Sequence, residues 1–233
     1  MLLILLLAAA CKKEPGEGGL ATIEGTLYYN TYTPGGESIE KIPAGDEKVY
    51  LTYGDNDPYD DRNDTYTDGT FQFKNLQKGN YTVAAYSDCI SCPGGIEAVE
   101  IEVEITNKKG SISVGELVVV KTLKYNDGTA TIKGIIIQDE YTIIPPIVVN
   151  NTYPKPNESV YIVYGNDATY FDRVKTDADG VFQFTNLLKG SYKIYAFSDC
   201  ANCSSETDSK EVITQISSNG EAIDVGTITI EKR

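Results

Sequence analysis

Short runs in which apolar and polar residues alternate recur along most of the chain, and they predict β-strands. The clearest run covers residues 99–105, where Val99, Ile101, Val103 and Ile105 alternate with three glutamates. Because successive side chains of a strand point to opposite faces, this run predicts one buried face and one solvated, acidic face. No segment has a convincing helical period.

The same pattern predicts seven strands in each half of the chain. Asp68-Gly69 and Asp179-Gly180 lie between runs rich in threonine and aromatic residues and are predicted to form hairpin turns. Seven short strands in about 100 residues predict a sandwich of two sheets. The strands are expected near residues 20–29, 47–53, 64–67, 70–74, 80–87, 98–106 and 114–121, and again near 129–137, 159–164, 173–176, 181–185, 191–198, 209–216 and 224–231.

The two halves are copies of one another. Residues 49–92 align with residues 160–203 without gaps, and about half of the aligned positions are identical. The repeat of about 110 residues is far longer than the 20 to 50 residues of a solenoid repeat, so it predicts two whole domains. We expect these domains at 20–121 and 129–233, joined by a polar linker at 122–128.

The middle of each copy resembles the carboxypeptidase regulatory-like (transthyretin-like) β-sandwich family. The resemblance lies in TDADGVFQF from Thr176, in Gly190-Ser191-Tyr192, and in the matching pattern between Thr67 and Tyr81. The segment DVGTI from Asp224 is similar to that family's last strand. The resemblance implies an all-β fold of two tandem seven-stranded immunoglobulin-like (prealbumin-like) β-sandwiches. It implies no activity, because a fold does not determine function.

The N-terminus predicts export and lipidation. Residues 1–10 are apolar, end in three alanines and precede Cys11; the run is too short to span a bilayer. It resembles the lipobox of bacterial lipoproteins, in which the cysteine is lipidated, and CKKE from Cys11 resembles the surface-export signal of Bacteroidetes-type lipoproteins. We therefore expect a signal peptide at 1–10 and a tether at 11–19. The expected location is the outer membrane, lipid-anchored and facing the cell surface; the periplasmic face and an ordinary secretion signal remain alternatives.

The composition argues against several functions. The chain has no histidine and no tryptophan, and its net charge is −14. Without histidine, Ser-His-Asp and Cys-His nucleophiles are excluded, as are the commonest metal ligands. The negative charge disfavours nucleic acid and anionic lipid as partners. The acyl anchor alone is therefore expected to attach the protein to the membrane. We expect no enzymatic activity.

Two cysteine pairs occupy matching positions in the copies. Cys89 and Cys92, like Cys200 and Cys203, are three residues apart. In an oxidising compartment such pairs are expected to form local disulfides, each worth on the order of 2 kcal/mol. A redox role and a zinc site of four thiolates remain alternatives.

Aspartates crowd the loop that leads into and includes each Asp-Gly pair, among them Asp55, Asp57, Asp177 and Asp179. Carboxylates are ligands that Ca²⁺ prefers, but the spacing does not fit an EF-hand, and aspartate is a common turn residue. We expect no cofactor, with Ca²⁺ as the alternative.

Two sets of residues are candidates for binding a partner. Alternation places Tyr195 and Phe197 on the same strand face as Lys193, which predicts that both rings are partly exposed, together with Tyr86 in the first copy. The apolar segment 141–149 is the second candidate.

That segment contains Ile144 and Ile147 around two prolines, which exclude a helix and a central strand. It is expected either to cover the seam between the domains or to dock a partner.

These observations predict a non-catalytic lipoprotein that acts as a structural or protein-interaction module in an envelope assembly. The alternative is a glycan-binding accessory lipoprotein of polysaccharide uptake, against which the absence of tryptophan weighs.

Overall fold

The computed structural model describes residues 15–89, 91–142, 144–200 and 207–232. Its contacts divide the chain into two compact units, unit 1 (Met1–Thr122) and unit 2 (Leu123–Arg233). The described part contains sixteen β-strands, and none of its residues form a helix long and apolar enough to cross a membrane. The predicted signal peptide and Cys11 lie outside the described residues.

Unit 1 is built from eight strands in two sheets. In one sheet, the long strand β1 pairs in parallel with β8 on one side, and on the other side antiparallel with β5 and then β2. The second sheet has the order β4-β3-β6-β7. The strands are β1 (Glu17–Tyr32), β2 (Ser38–Pro43), β3 (Lys48–Tyr53), β4 (Asp61–Asp64), β5 (Thr70–Leu76), β6 (Gly79–Asp88), β7 (Ile96–Ile105) and β8 (Lys109–Thr122).

Unit 2 repeats this topology. Strand β9 pairs in parallel with β16 and antiparallel with β13 and β10, and the second sheet has the order β12-β11-β14-β15. The strands are β9 (Ala130–Tyr141), β10 (Val149–Pro154), β11 (Ser159–Tyr164), β12 (Asp172–Lys175), β13 (Val181–Leu187), β14 (Gly190–Asp199), β15 (Thr207–Ile216) and β16 (Ala222–Lys232).

Each unit buries the inward faces of its two sheets in a core of its own. In unit 1 this core includes Phe71, Phe73, Leu27, Leu51 and Tyr81, all nearly inaccessible to solvent. On β7 the predicted alternation holds, since Ile105 is buried, Val99, Ile101 and Val103 pack against the core, and the glutamates between them are exposed. The all-β fold of tandem β-sandwiches is therefore confirmed.

Each unit has one strand more than the seven predicted. The additional strands are β2 and β10, which pair as hairpins with the second halves of β1 and β9. Their sequences, SIEKIP and VNNTYP, contain no fully buried residue and lack a regular apolar face. Because each is held mainly by backbone pairing at a sheet edge, the hydrophobic pattern gave no sign of it.

The Asp-Gly pairs form turns, as the sequence predicts, but the prediction that these turns are hairpins within one sheet is wrong. Strands β4 and β5, which flank Asp68-Gly69, belong to different sheets, so the turn carries the chain across the sandwich. Gly69 has a φ of +79°, and its carbonyl accepts a hydrogen bond from the Leu27 amide. Gly180 occupies the same place in unit 2, with a φ of +74°.

Two residues of the segment 122–128, which is expected as a linker, have defined places in the two units. Thr122 is the last residue of β8, whereas Tyr125 packs within unit 2. The Tyr125 ring stacks on Tyr164 with ring centroids 5.0 Å apart and also contacts Phe171, and its hydroxyl donates to the Asp167 carboxylate.

Candidate interaction surfaces

The outward face of the β11–β14 pair in unit 2 carries four aromatic rings, which we call the unit 2 aromatic face. Strand alternation explains their position, because Val160 and Ile162 on β11 and Ile194 and Ala196 on β14 point into the core. The intervening residues therefore point outward, and a ring from the loop after β11 joins them. The four residues are Tyr161, Tyr170, Tyr195 and Phe197.

Tyr161 is the centre of this face. It lies opposite Tyr195 in the strand register, and the two rings stack with centroids 5.1 Å apart and planes 13° from parallel. Tyr170 and Phe197 contact the Tyr161 ring edge-on, at 4.9 and 5.5 Å. Phe197 is 49% exposed and Tyr170 48%, so the cluster leaves apolar surface open to solvent.

Unit 1 carries a smaller version, which we call the unit 1 aromatic face. Tyr50 contacts Tyr59 at 4.5 Å and Tyr86 at 5.3 Å. The register partner of Tyr50 is Ala84, which stands where unit 2 has Tyr195. Tyr86 is 52% exposed. The duplicated chain thus presents the same kind of surface twice, with one ring fewer in unit 1.

An exposed arginine borders each face. Arg62 lies opposite Tyr50 in the strand register, and Arg173 lies opposite Tyr161. Within the residues that the structure describes, neither guanidinium takes part in an ion pair. Two of the three arginines in the sequence therefore lie beside the aromatic faces, and both are without an ion-pair partner in the part of the chain that the structure describes.

The Tyr195 and Tyr50 hydroxyls keep their protons at physiological pH. Burial raises the pKa of Tyr195 above its ordinary value, and the neighbouring Tyr161 and Tyr170 add to this effect. Burial also raises the pKa of Tyr50. Each face therefore combines apolar rings, hydroxyl groups that can donate or accept hydrogen bonds, and one cation.

The sequence pattern identified three of these aromatic residues and missed four. Tyr86 and Phe197 are exposed and Tyr195 is half-buried, as strand alternation predicts. The missed residues are Tyr50, Tyr59, Tyr161 and Tyr170. Tyr50 and Tyr161 could have been found from the same alternation, since each lies between two core positions of its strand. Tyr59 and Tyr170 occupy loops, where periodicity gives no signal.

A Ser-Asp pair precedes the first cysteine of each cysteine pair, and its side chains form hydrogen bonds between the two sheets beside these faces. In unit 1, the buried Ser87 hydroxyl accepts from the Val120 amide at 2.9 Å, and the Asp88 carboxylate accepts from the Thr122 amide at 2.7 Å. In unit 2, the Ser198 hydroxyl accepts from the Glu231 amide at 2.8 Å. These contacts hold the end of β6 or β14 against the last strand of the other sheet.

The predicted disulfide between Cys89 and Cys92 is present, at the tip of the β6–β7 connection. Among the described residues, the only converging group of three or more potential metal ligands is Cys89, Cys92 and Glu97. Because the two sulfurs are bonded to each other, they are not thiolate ligands, and this argues against the zinc alternative in unit 1. Cys200 is also disulfide-bonded, but Cys203 lies outside the described residues, so the second pairing stays a prediction.

The proline-containing segment forms the loop between β9 and β10. The Thr142 amide donates to the Val148 carbonyl at 2.9 Å, which closes the hairpin. Ile144 is 74% exposed, and Ile147, Val148 and Val149 are also exposed. The segment is expected either to cover the seam between the domains or to dock a partner. Both hypotheses require an exposed apolar loop, and both stay predictions.

The aspartates named as Ca²⁺ candidates are exposed, and one of them has a turn role. The Asp177 carboxylate accepts hydrogen bonds from the Asp179 and Val181 amides, at 2.9 and 2.8 Å. Asp55 and Asp57 are exposed in the β3–β4 loop. Turn chemistry accounts for Asp177, and Ca²⁺ binding stays untested.

Comparisons with known proteins give structural likenesses only. No family model matches the chain, and no curated protein matches it. It is similar to a streptococcal ancillary pilin at 11% identity and a TM-score of 0.36, covering 91% of this chain and 62% of the pilin. It is also similar to the minor pilin of Streptococcus agalactiae, at 11% identity and a TM-score of 0.34, covering 91% of this chain and 96% of that pilin.

A third likeness is to a DUF3823 family protein from Bacteroides uniformis, at 14% identity and a TM-score of 0.26, with coverage of 84% and 98%. The chain thus spans 62% of the length of the streptococcal ancillary pilin. The resemblance to the carboxypeptidase regulatory-like family stays a prediction from the motifs.

Proposed function

We propose that this chain is a non-catalytic, lipid-anchored interaction module of a bacterial cell envelope, which docks another envelope protein through its aromatic faces. The observation that carries the proposal is the repeated combination of clustered tyrosines with one exposed arginine on the outward face of both units. Tyrosine and arginine are, with tryptophan, the residues enriched among the energetic centres of protein interfaces.

A protein partner suits the unit 2 aromatic face better than a glycan. A sugar ring stacks on the free face of an aromatic ring, but Tyr161 is engaged by three other rings. What remains open is the outer part of Phe197 and Tyr170, and the exposed Arg173 lies opposite Tyr161 in the strand register. A protein surface can fill such an uneven patch with apolar side chains and pair the guanidinium with a carboxylate.

The predicted anchor supports an envelope location. Cys11, if lipidated, would tether unit 1 to a membrane through residues 11–19 and leave both aromatic faces on the aqueous side. The outer leaflet facing the cell surface is the proposed site, with the periplasmic face as the alternative.

Two experiments test this function. Replacing Cys11 (C11S) should release the protein from membranes and abolish labelling by a fatty-acid analogue, which wild type incorporates. Equal labelling of both proteins would exclude the anchor.

Mild cross-linking in the native organism should then join wild type to an envelope protein. Retention by immobilised polysaccharide through the aromatic faces, with no protein partner, would instead favour the glycan-binding alternative.

A further inference from the structure

Unit 1 has a groove on the outward face of its other sheet, away from the aromatic face. The groove has a volume of about 460 Å³ and lies across β1, β5 and β8. Tyr66, from the connection between β4 and β5, forms one wall. Glu24, Gln72 and Glu116 line it from the three strands in turn. Its volume is within the range of pockets that hold small ligands.

A β-bulge shapes the floor of the groove. Glu24 pairs with Ser113 and Thr26 with Glu116, so β8 has one residue more than β1 between these pairs. The bulged Gly115 has a φ of +74°, and a Cβ placed there would meet open space. The absence of a side chain at this position keeps the groove open between Ser113 and Glu116.

The Tyr66 side chain is available to a ligand. It is 58% exposed, and within the described part of the chain its ring packs against no other aromatic ring. Its hydroxyl accepts a hydrogen bond of 3.2 Å from the Gln72 amide nitrogen, which fixes the ring beside the groove. The Gln72 amide carries a second N–H that can donate to a ligand.

The groove also provides two carboxylate acceptors, and a lysine neutralises one of them. The Lys41 ammonium donates to the Glu116 carboxylate at 2.6 Å. Among the described residues, the Glu24 carboxylate has no hydrogen-bond or ion-pair partner. Two carboxylates disfavour an anionic ligand, and the polar floor disfavours a purely apolar one.

Unit 2 lacks this chemistry at the matching positions. Lys133 occupies the position of Glu24, and Asp224 occupies the position of Ser113. The Lys133 ammonium and the Asp224 carboxylate form an ion pair at 3.6 Å. Asp177 stands where unit 1 has Tyr66 and is engaged in the turn. The bulge is present in both units. The Tyr66 wall and the Glu24 acceptor, by contrast, have no equivalent at the matching positions of unit 2.

We infer that this unit 1 groove binds a neutral saccharide. Sugar hydroxyls can donate to the Glu24 and Glu116 carboxylates and accept from the Gln72 amide, while the apolar face of a sugar ring stacks on Tyr66. The inference does not rest on the proposed function, because it uses a different sheet and different residues.

The test uses the purified full chain and a panel of neutral oligosaccharides: cellohexaose, maltohexaose, laminarihexaose and mannohexaose. Saturation-transfer NMR and titration calorimetry should show that at least one of them binds with a Kd of about 1 mM or tighter. Tyr66→Ala should weaken this binding about tenfold or more, and Tyr66→Phe, which keeps the ring, should retain most of it. Gln72→Ala should also weaken it.

Tyr170→Ala is the matched control, because it removes a tyrosine of similar exposure from the unit 2 aromatic face and should leave saccharide binding unchanged. Thermal melts of all variants identify any loss of folding. The inference is overturned if no oligosaccharide of the panel binds, if binding is equally strong in Tyr66→Ala, or if Ca²⁺ binds at Glu24 and the saccharides do not. None of these results bears on the docking of a protein at the aromatic faces.

Discussion

The ring of Tyr161 stacks on the ring of Tyr195, its partner across two antiparallel strands, and this pair distinguishes the second sandwich from the first. In unit 1 the corresponding strand pair brings together Tyr50 and Ala84. The exposed Ile213 adds to the apolar surface of unit 2 on the neighbouring strand, whereas Glu102 occupies the matching place in unit 1. The duplication has therefore left two unequal copies of one surface, and unit 2 has the more apolar one.

The first prediction concerns Tyr125. A fragment of residues 123–233 should be more stable than a fragment of 129–233, because the shorter one lacks the ring that packs on Tyr164 and Phe171. Aromatic pairs of this kind contribute about 0.5–1.5 kcal/mol each. Thermal unfolding measures the difference, and Tyr125→Ala in the longer fragment should reproduce most of it. Equal melting temperatures would mean that the segment before Thr129 does not stabilise unit 2.

The second prediction concerns the Asp-Gly turn. A Cβ at Gly69 would lie 2.4 Å from the Leu27 carbonyl oxygen, and the φ of +79° already disfavours a side chain. Gly69→Ala should therefore lower the free energy of unfolding by about 2–4 kcal/mol.

Gly36→Ala is the control for Gly69→Ala. Gly36 has a similar φ of +85°, but nothing lies within 4 Å of its Cβ position, so the cost should be about 1 kcal/mol. Denaturant titration compares the two variants. Equal losses would show that the contact with Leu27 is unimportant.

The sequence predicted the parts of the fold that depend on local alternation. Strand β7 is an example, because its inward valines and isoleucines and outward glutamates identify it without any knowledge of its neighbours. Strand β2 could not be predicted in this way, since the segment from Ser38 to Pro43 is polar and is held by its pairing with β1. The assignment of β4 and β5 to different sheets was likewise hidden, because an Asp-Gly turn has the same local sequence in either case.

The candidate surfaces were predictable only in part. Alternation along β14 was enough to place Tyr195 and Phe197 on an outward face. The contact of Tyr170 with Tyr161 depends on how a loop folds back over β11, and the Tyr66 groove depends on a bulge between strands far apart in sequence. Neither non-local arrangement leaves a periodic signal in the chain.

The third prediction concerns the cysteines. Peptide mapping without reduction should recover Cys89 linked to Cys92 and Cys200 linked to Cys203. Replacing Cys89 and Cys92 together by serine should cost on the order of 2 kcal/mol, because the disulfide closes a very short loop. A link from Cys89 to Cys200, or free thiols with bound zinc, would contradict this pairing.

The fourth prediction concerns the loop between β9 and β10. Because Ile144 and Ile147 are exposed, the double substitution Ile144→Asp with Ile147→Asp should change the free energy of unfolding by no more than about 0.5 kcal/mol. If the loop docks a partner, the same variant should reduce the yield of cross-linked complex.

Asn150→Asp with Asn151→Asp is the control for that variant, since it adds the same two charges at neighbouring exposed positions. A fall in melting temperature confined to the isoleucine variant would favour the alternative in which the loop covers a seam between domains. A variant unchanged in both stability and complex formation would leave the loop without either role.

The central claim is that the aromatic faces contact a protein partner, and site-specific photo-crosslinking in living cells tests it most directly. A photoreactive phenylalanine analogue would replace Phe197 or Tyr86 in turn, and would replace the exposed Tyr66 and Leu20 as controls outside both faces. We predict one discrete cross-linked product from position 197, a weaker one from position 86, and none from the controls. Products from position 66 or 20 with none from position 197 would contradict the claim.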